Sequence, residues 1–299
     1  MLKIKKENFI FGIDTIQVNS PTESEVTKSN CGFLSQDPKK VKGGQWQYVL
    51  NPDKESGKAV VCYSDFINSY NRMIKALQLN NPRITRVDYR LDTKLYEYSD
   101  FRKLNALLLC LVSLTFGGAY KNRYNNSDIL VPLEKAVKFT TQYYAGEFYN
   151  KAIQEPQGDV KSRLEMRLLK PFNDRHIDPS KGFDVIVNKF NEAIKPEYFK
   201  QLEAEANYGL YSHFWQIERR CKCSVNQFLF KYQEYLFTQQ QIKDLLVKYF
   251  GRYDYSEEKK QALTRSVERL CEKYEAYSRK DIEKYINIFI NSGKAYFKN

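Results

Sequence analysis

The sequence predicts an α+β fold, a mostly antiparallel sheet covered by helices and followed by a helical C-terminal module. Between residue 12 and about residue 170, short alternating stretches typical of half-buried strands are interspersed with helical periodicity. Beyond Pro171 the apolar positions recur at helical spacing alone. Hydrophobic residues make up 42% of the 299, enough to bury a core and to exclude a disordered chain.

The first strand covers 12–18 and ends before Pro21. Gly43-Gly44 leads into a second strand over 45–50, NPDKESG (51–57) reads as a turn, and 58–63 returns as the hairpin partner. Ser64 or Asp65 caps a helix to about Leu79, with Phe66, Ile67, Tyr70, Ile74 and Leu77 on one face. After Pro82 comes the clearest strand, 83–93, then an apolar helix from Asp100 to Leu114. Two further strands fall at 136–144 and 160–169. The helical candidates beyond are 184–193, 196–207, 224–237, 240–250, 256–277 and 279–290. This divides the chain into a sheet domain over 1–215 and a helical module over 216–299, for DNA or partner binding.

Lys and Arg number 48 against 36 Asp and Glu, a net charge of +12, which favours polyanionic partners through counterion release. The 23 Tyr and 19 Phe permit stacking on unpaired bases, although coding bias produces the same enrichment. Cys31, Cys62, Cys110, Cys221, Cys223 and Cys271 lack the spacing of a zinc knuckle and read as free thiols in a reducing cytoplasm. The opening MLKIKKENFIFG has no signal-peptide pattern, and 104–114 is too short to span a membrane. A cytoplasmic location is expected. A phosphate-binding Gly-Lys-Ser/Thr loop, a dinucleotide glycine fingerprint and a Gly-x-Ser-x-Gly elbow are absent, which excludes the enzyme classes that need them.

Two strands carry the chemistry. In RITRVDYRLDT, alternation sets Arg86, Asp88, Arg90 and Asp92 on one face, with Val87, Tyr89 and Leu91 on the other. In VKSRLEMRLL, Lys161, Arg163, Glu165 and Arg167 share a face. Asp88, Asp92 and Glu165 on a common concave face suit Mg²⁺ or Mn²⁺, hard cations that take oxygen ligands. Arg86, Arg90, Arg163 and Arg167 would keep them ionised and grip DNA phosphates; ordinary cross-strand ion pairs are the plainer reading of either strand alone. Between the two strands lies TTQYYAGEFYNK (140–151), where Tyr149 and Lys151 fall on one face with Tyr143 in phase. A tyrosine needs a nearby cation or a polarised phosphate to act as nucleophile, and Lys151 supplies the first.

The order Arg86-Val87-Asp88 with Asp92, Thr140 to Gly146, Tyr149-Asn150-Lys151 with Glu155, and Arg163-Leu164-Glu165-Met166-Arg167 resembles the replication initiation factor family. That family comprises plasmid rolling-circle Rep proteins and related relaxases, and the likeness extends more loosely to filamentous-phage nicking replication proteins. Ile13-Asp14-Thr15-Ile16 is similar to the start of the family's first strand. The resemblance implies a tyrosine that cleaves one strand at an origin, stays on the 5′ phosphate and leaves a 3′-OH for synthesis. It implies Tyr149 as nucleophile, with Asp88, Glu165 and less directly Asp92 as metal ligands. The segment from Gly146 to Tyr149 is shorter than in plasmid initiators, so Tyr143 and Tyr144 stay as alternatives. His176 and His213 are too far apart for the histidine-pair metal site of many nickases. An initiator without its own helicase motif would recruit one from the host, and an oligomer is compatible with the pattern. The competing readings are a non-enzymatic origin- or operator-binding protein and a basic protein with no nucleic-acid role.

Overall fold

The structure is a computed structural model that describes residues 6–94, 137–140, 144–151, 162–169, 176–193, 195, 256–262, 264–265 and 279–299. The expected helices 100–114, 196–207, 224–237 and 240–250, the boundary near 215 and His213 lie outside them. The chain forms two compact units, one of residues 4–95, 136–188 and 287–299, the other of 1–3, 96–135 and 189–286. In the second unit Ser256 starts a helical run, its hydroxyl accepting from the Lys259 N–H at 3.4 Å. No helix among the described residues is long and apolar enough to cross a membrane.

The first unit has the α+β architecture expected. Its strands are β1 (Phe9–Ser20), β2 (Lys39–Lys40), β3 (Trp46–Leu50), β4 (Arg83–Thr93), β5 (Val137–Thr140), β6 (Tyr144–Asn150) and β7 (Ser162–Leu168). They form one sheet in the order β2-β3-β1-β4-β7-β6-β5, with antiparallel pairing between all neighbours among the described residues. The helices described are α1 (Pro52–Ser56), α2 (Tyr63–Ala76), α3 (Pro179–Ala193) and α4 (Arg279–Lys298).

Three local expectations are corrected. The predicted turn at 51–57 is the short helix α1: the Asn51 side chain accepts from the Lys54 N–H at 2.9 Å, and Gly57 ends it in the left-handed region at φ 70°. Residues 58–61 therefore form no strand, and β3 pairs with β1 and β2 instead. The predicted strand 136–144 is two strands, β5 and the start of β6, which fold back with Thr140 opposite Ala145. Third, α4 runs past the expected end at Ile290 to Lys298, with Gly293 inside it. A Cβ at position 293 would stand 2.1 Å from the Phe183 ring, so the glycine serves close packing inside the helix.

One face of the sheet is the core. Phe11, Ile13, Ile16, Val87, Tyr89 and Leu91 are buried on it, joined by Leu164, Met166 and Leu168 of β7. Aromatic rings cover them: Phe11 packs at 5.1 Å from Phe183 of α3 and at 5.4 Å from Phe289 of α4. The Tyr89 hydroxyl donates to the Pro179 carbonyl at 2.7 Å, and burial pushes its pKa well above the ordinary value. The α2 helix and its C-cap residue bury Phe66 and Leu77 of the expected stripe together with Ser69 and Met73, while Ile67, Tyr70 and Ile74 are half-buried. His176 is structural, its Nδ1 accepting from the Ile84 N–H at 3.1 Å. With the core filled from one side, the opposite face of β1, β4 and β7 is left to polar side chains.

Candidate active site

The register on that opposite face sets acids against bases. Across β4 and β7, Asp88 faces Arg167, Arg90 faces Glu165, and Asp92 faces Arg163. The shared face expected from alternation is therefore formed by directly opposed pairs; Lys161 lies outside the described residues. The strand β6 extends the rows, with Glu147 opposite Glu165 and Tyr149 opposite Arg163. Backbone position 149 thus continues the row of Asp92 and Arg163. Tyr144 pairs instead with Leu168, in the row of Val87 on the core side, and Tyr143 lies outside the described residues. Lys151 follows β6, and its charge reaches Asp14.

Asp14 belongs to this constellation although alternation alone did not single it out. The β1–β4 register slips between Ile13 and Thr15, so that Thr15 faces Asp88 where regular pairing would place Asp14. A bulge of this kind inserts one extra residue and re-aims its neighbours, and both Asp14 and Thr15 line the polar side. A signal for it exists in FIFGIDTIQVNS: apolar residues step by two at positions 9, 11 and 13, then by three to Ile16.

The carboxylates and guanidiniums form a ladder with two unlike ends. At the inner end Arg163 holds Asp92 with two parallel bonds, Nε to Oδ1 at 2.5 Å and Nη2 to Oδ2 at 2.9 Å, while its Nη1 donates to Asp14. Beside it, Arg90 donates to Asp53 of α1 and lies 3.5 Å from Asp92 and 3.7 Å from Asp14. The side chains of Arg90 and Arg163 are only 2% and 7% exposed, against 23% for Arg86 and 25% for Arg167. Gly12 makes room for Arg90: a Cβ there would meet its Nε at 3.0 Å and the Val60 carbonyl at 3.0 Å. At the outer end Arg86 grips Asp88, and Arg167 spans Asp88 at 3.3 Å and Glu165 at 3.0 Å.

The two ends titrate in opposite senses. Burial pushes the Asp14 carboxyl up, but Arg163, Arg90, the Thr15 hydroxyl and Lys151 together hold it below the ordinary value. Burial pushes the Asp88 carboxyl up and wins, even against the Arg86 hydrogen bond and the charges of Arg86 and Arg167. The Arg90 cation loses hydration on burial, and Asp53 and Asp92 more than restore its preference for the charged form.

A cleft of about 410 Å³ opens over the outer end, with Asp14, Asp88, Glu165, Arg86 and Arg167 at its floor. Among the described residues Asp92 does not line it. The structure thus corrects the expectation that the arginines act alike: Arg90 and Arg163 are buried and committed to carboxylates, and only Arg86 and Arg167 reach the cleft. As placed, no three His, Cys, Asp or Glu side chains among the described residues converge on a common metal-sized point. Asp14, Asp88 and Glu165 nevertheless bring carboxylate oxygens, the donors that hard cations take, to an open polar cleft.

No protein-family model and no curated protein matches the chain. A solved structure of a rolling circle replication initiator protein from Geobacillus stearothermophilus is similar over 62% of this chain and 80% of that chain, at 13% identity and a TM-score of 0.28. A likeness that loose transfers no function.

Proposed function

We propose that this protein is a replication-initiating DNA nickase and strand transferase that attacks a phosphodiester with Tyr149. The observation that carries the reading is the register. Position 149 continues the Asp92–Arg163 row, and Lys151 follows with a charge that Asp14 feels. In the proposed reaction the Tyr149 hydroxyl oxygen bonds to phosphorus as the bond to the 3′ oxygen breaks. The tyrosine's proton passes to water, the Lys151 cation favouring the phenolate, and the departing oxygen takes up a proton from water to become the 3′-OH. Arg86 and Arg167, the partly exposed guanidiniums, hold the phosphate oxygens. Arg163 and Asp92 keep the row in place. DNA at a plasmid, phage or mobile-element origin is the substrate, and a host helicase is the partner the reaction would require.

The proposed metal ligands are Asp88 and Glu165, the expected carboxylates that line the cleft, with Asp14 beside them. Asp92 is set aside because it does not line the cleft and its bidentate partner, Arg163, is buried with it, whereas the partner of Asp88 is the partly exposed Arg86. Bound there, Mg²⁺ or Mn²⁺ would withdraw charge from the scissile phosphate. Arg86 and Arg167 now supply the positive charge at these carboxylates, and as the partly exposed pair they are the ones placed to exchange a carboxylate for a phosphate.

One observation favours a second reading, a DNA-binding protein without chemistry: every carboxylate of the ladder is already matched by a guanidinium. Incubation with single-stranded origin DNA and Mn²⁺, followed by a denaturing gel, separates the two. Nicking predicts a covalent protein–DNA adduct that Tyr149→Phe abolishes while binding and melting temperature stay within error. An adduct that persists in Tyr149→Phe would acquit that tyrosine, and none in the wild type would leave the binding reading.

A further inference from the structure

We propose that the outer half of the cleft is a reading pocket for one unpaired base next to the scissile phosphate, with Gln17, Gln36 and Gln47 as the specificity-determining residues. This rests on the nicking reading for the position of the phosphate. The chemistry of the cleft changes from one end to the other. Its floor is charged, as described, whereas the side toward β3 is lined by the amides of Gln17, Gln36 and Gln47 with Val49 between them. The register builds that side. Gln17 pairs with Arg86 on one flank and with Val49 on the other, Asn19 pairs with Gln47, and Gln47 pairs with Lys39 of β2. The backbones of Arg86 and Gln17 are therefore a single strand spacing, about 4.8 Å, apart, and both side chains line the cleft.

Neutral amides suit base edges and not phosphates. Each offers a donor and an acceptor from one planar group, the combination that distinguishes one base from another, and Val49 gives the ring an apolar wall. Gln17 is pre-oriented, its Nε2 donating to the Thr85 hydroxyl at 2.9 Å. Among the described residues the side chains of Gln36, Gln47 and Lys39 have no hydrogen-bond or ion-pair partner. The volume of about 410 Å³ is that of a small-ligand pocket, room for one nucleotide and not for a duplex segment.

The test is binding of the full-length protein, in EDTA, to fluorescein-labelled oligo-dA, oligo-dC and oligo-dT of about 12 nucleotides, read by anisotropy. The wild type should favour the tightest over the weakest by about fivefold or more, the lower bound for one good bidentate contact. Gln17→Ala combined with Gln47→Ala should bring that ratio toward one, with the weakest oligomer's affinity changed less than about twofold. Gln36→Ala, at an exposed position that does not threaten folding, should lower the ratio in the same direction, and Gln47→Glu should reorder the bases. Arg86→Ala with Arg167→Ala should weaken all three alike and flatten the salt dependence by about 1.4 in log–log slope. No discrimination in the wild type, or an equal loss for every oligomer in the glutamine variants, overturns the pocket. The adduct gel reads nicking separately: an adduct without base preference sinks the pocket alone, and base preference without an adduct sinks the nicking reading alone.

Discussion

The two ends of the ladder are made of the same residue types and hold unlike positions. At the inner end Arg163, Asp92, Arg90 and Asp14 are interlocked, and the two arginine side chains are 7% and 2% exposed. At the outer end Arg86 and Arg167 are about a quarter exposed over a cleft. A buried guanidinium with a bidentate carboxylate partner has no freedom to meet a substrate, and its removal strands a charge. A rim guanidinium can exchange one anion for another at little cost. The comparison teaches that acid–base alternation along a strand serves anchoring and binding at once, and burial decides which.

Removing Arg163 should show this most strongly. Arg163→Ala takes from Asp92 its bidentate partner and from Asp14 its nearest one, with Arg90 left at 3.5 and 3.7 Å, and should cost about 3–5 kcal/mol in urea or thermal unfolding. Arg86→Ala, where Arg167 still reaches Asp88, should cost about 1.5–3 kcal/mol, the range of a hydrogen bond to a charged group. Equal losses would erase the distinction between the ends. Gly12→Val comes next, at about 1–3 kcal/mol, because the added carbons overlap Arg90 and the Val60 carbonyl. A neutral outcome would mean that Arg90 shifts freely and does not lock α1 to the sheet.

The smallest effects carry opposite signs. Asp14 has a lowered pKa, so the stability it contributes is present above the ordinary value near 3.8 and is lost as pH falls through the lowered one. Asp88 has a raised pKa, so its contribution is complete below 3.8 and is lost as pH rises through the raised one. Relative to wild type, Asp14→Asn should therefore grow less stable between acid and neutral pH, and Asp88→Asn more stable. Melting temperatures across that range check it, and parallel curves for the two variants would contradict the assigned environments.

Much of the site was legible in the chain. The strand β4 appears with its predicted bounds, and its alternation placed Arg86, Asp88, Arg90 and Asp92 on one face as found. The polar pattern of β7 likewise gave Arg163, Glu165 and Arg167 a shared side. Period-two alternation is a local property, written in consecutive residues whatever the strand pairs with. The hairpin at 45–63 was misread because Asn-Pro-Asp and a closing Gly signal a turn or one turn of capped helix equally well. Tertiary packing settles that choice when Arg90 takes Asp53.

What the sequence by itself determined is therefore the content of the polar face: which acids and bases it carries, and that a tyrosine and a lysine lie between its two strands. Only the tertiary structure decided their roles. The register put Asp88 against Arg167 and position 149 in the Asp92–Arg163 row, and it set Tyr144 on the core side. The β1 bulge brought Asp14 in, and packing against α1 buried Arg90 while the open cleft left Arg86 and Arg167 at its floor. Register, bulges and burial depend on partners distant in sequence, such as Asp14 and Arg163, and no window along the chain contains both.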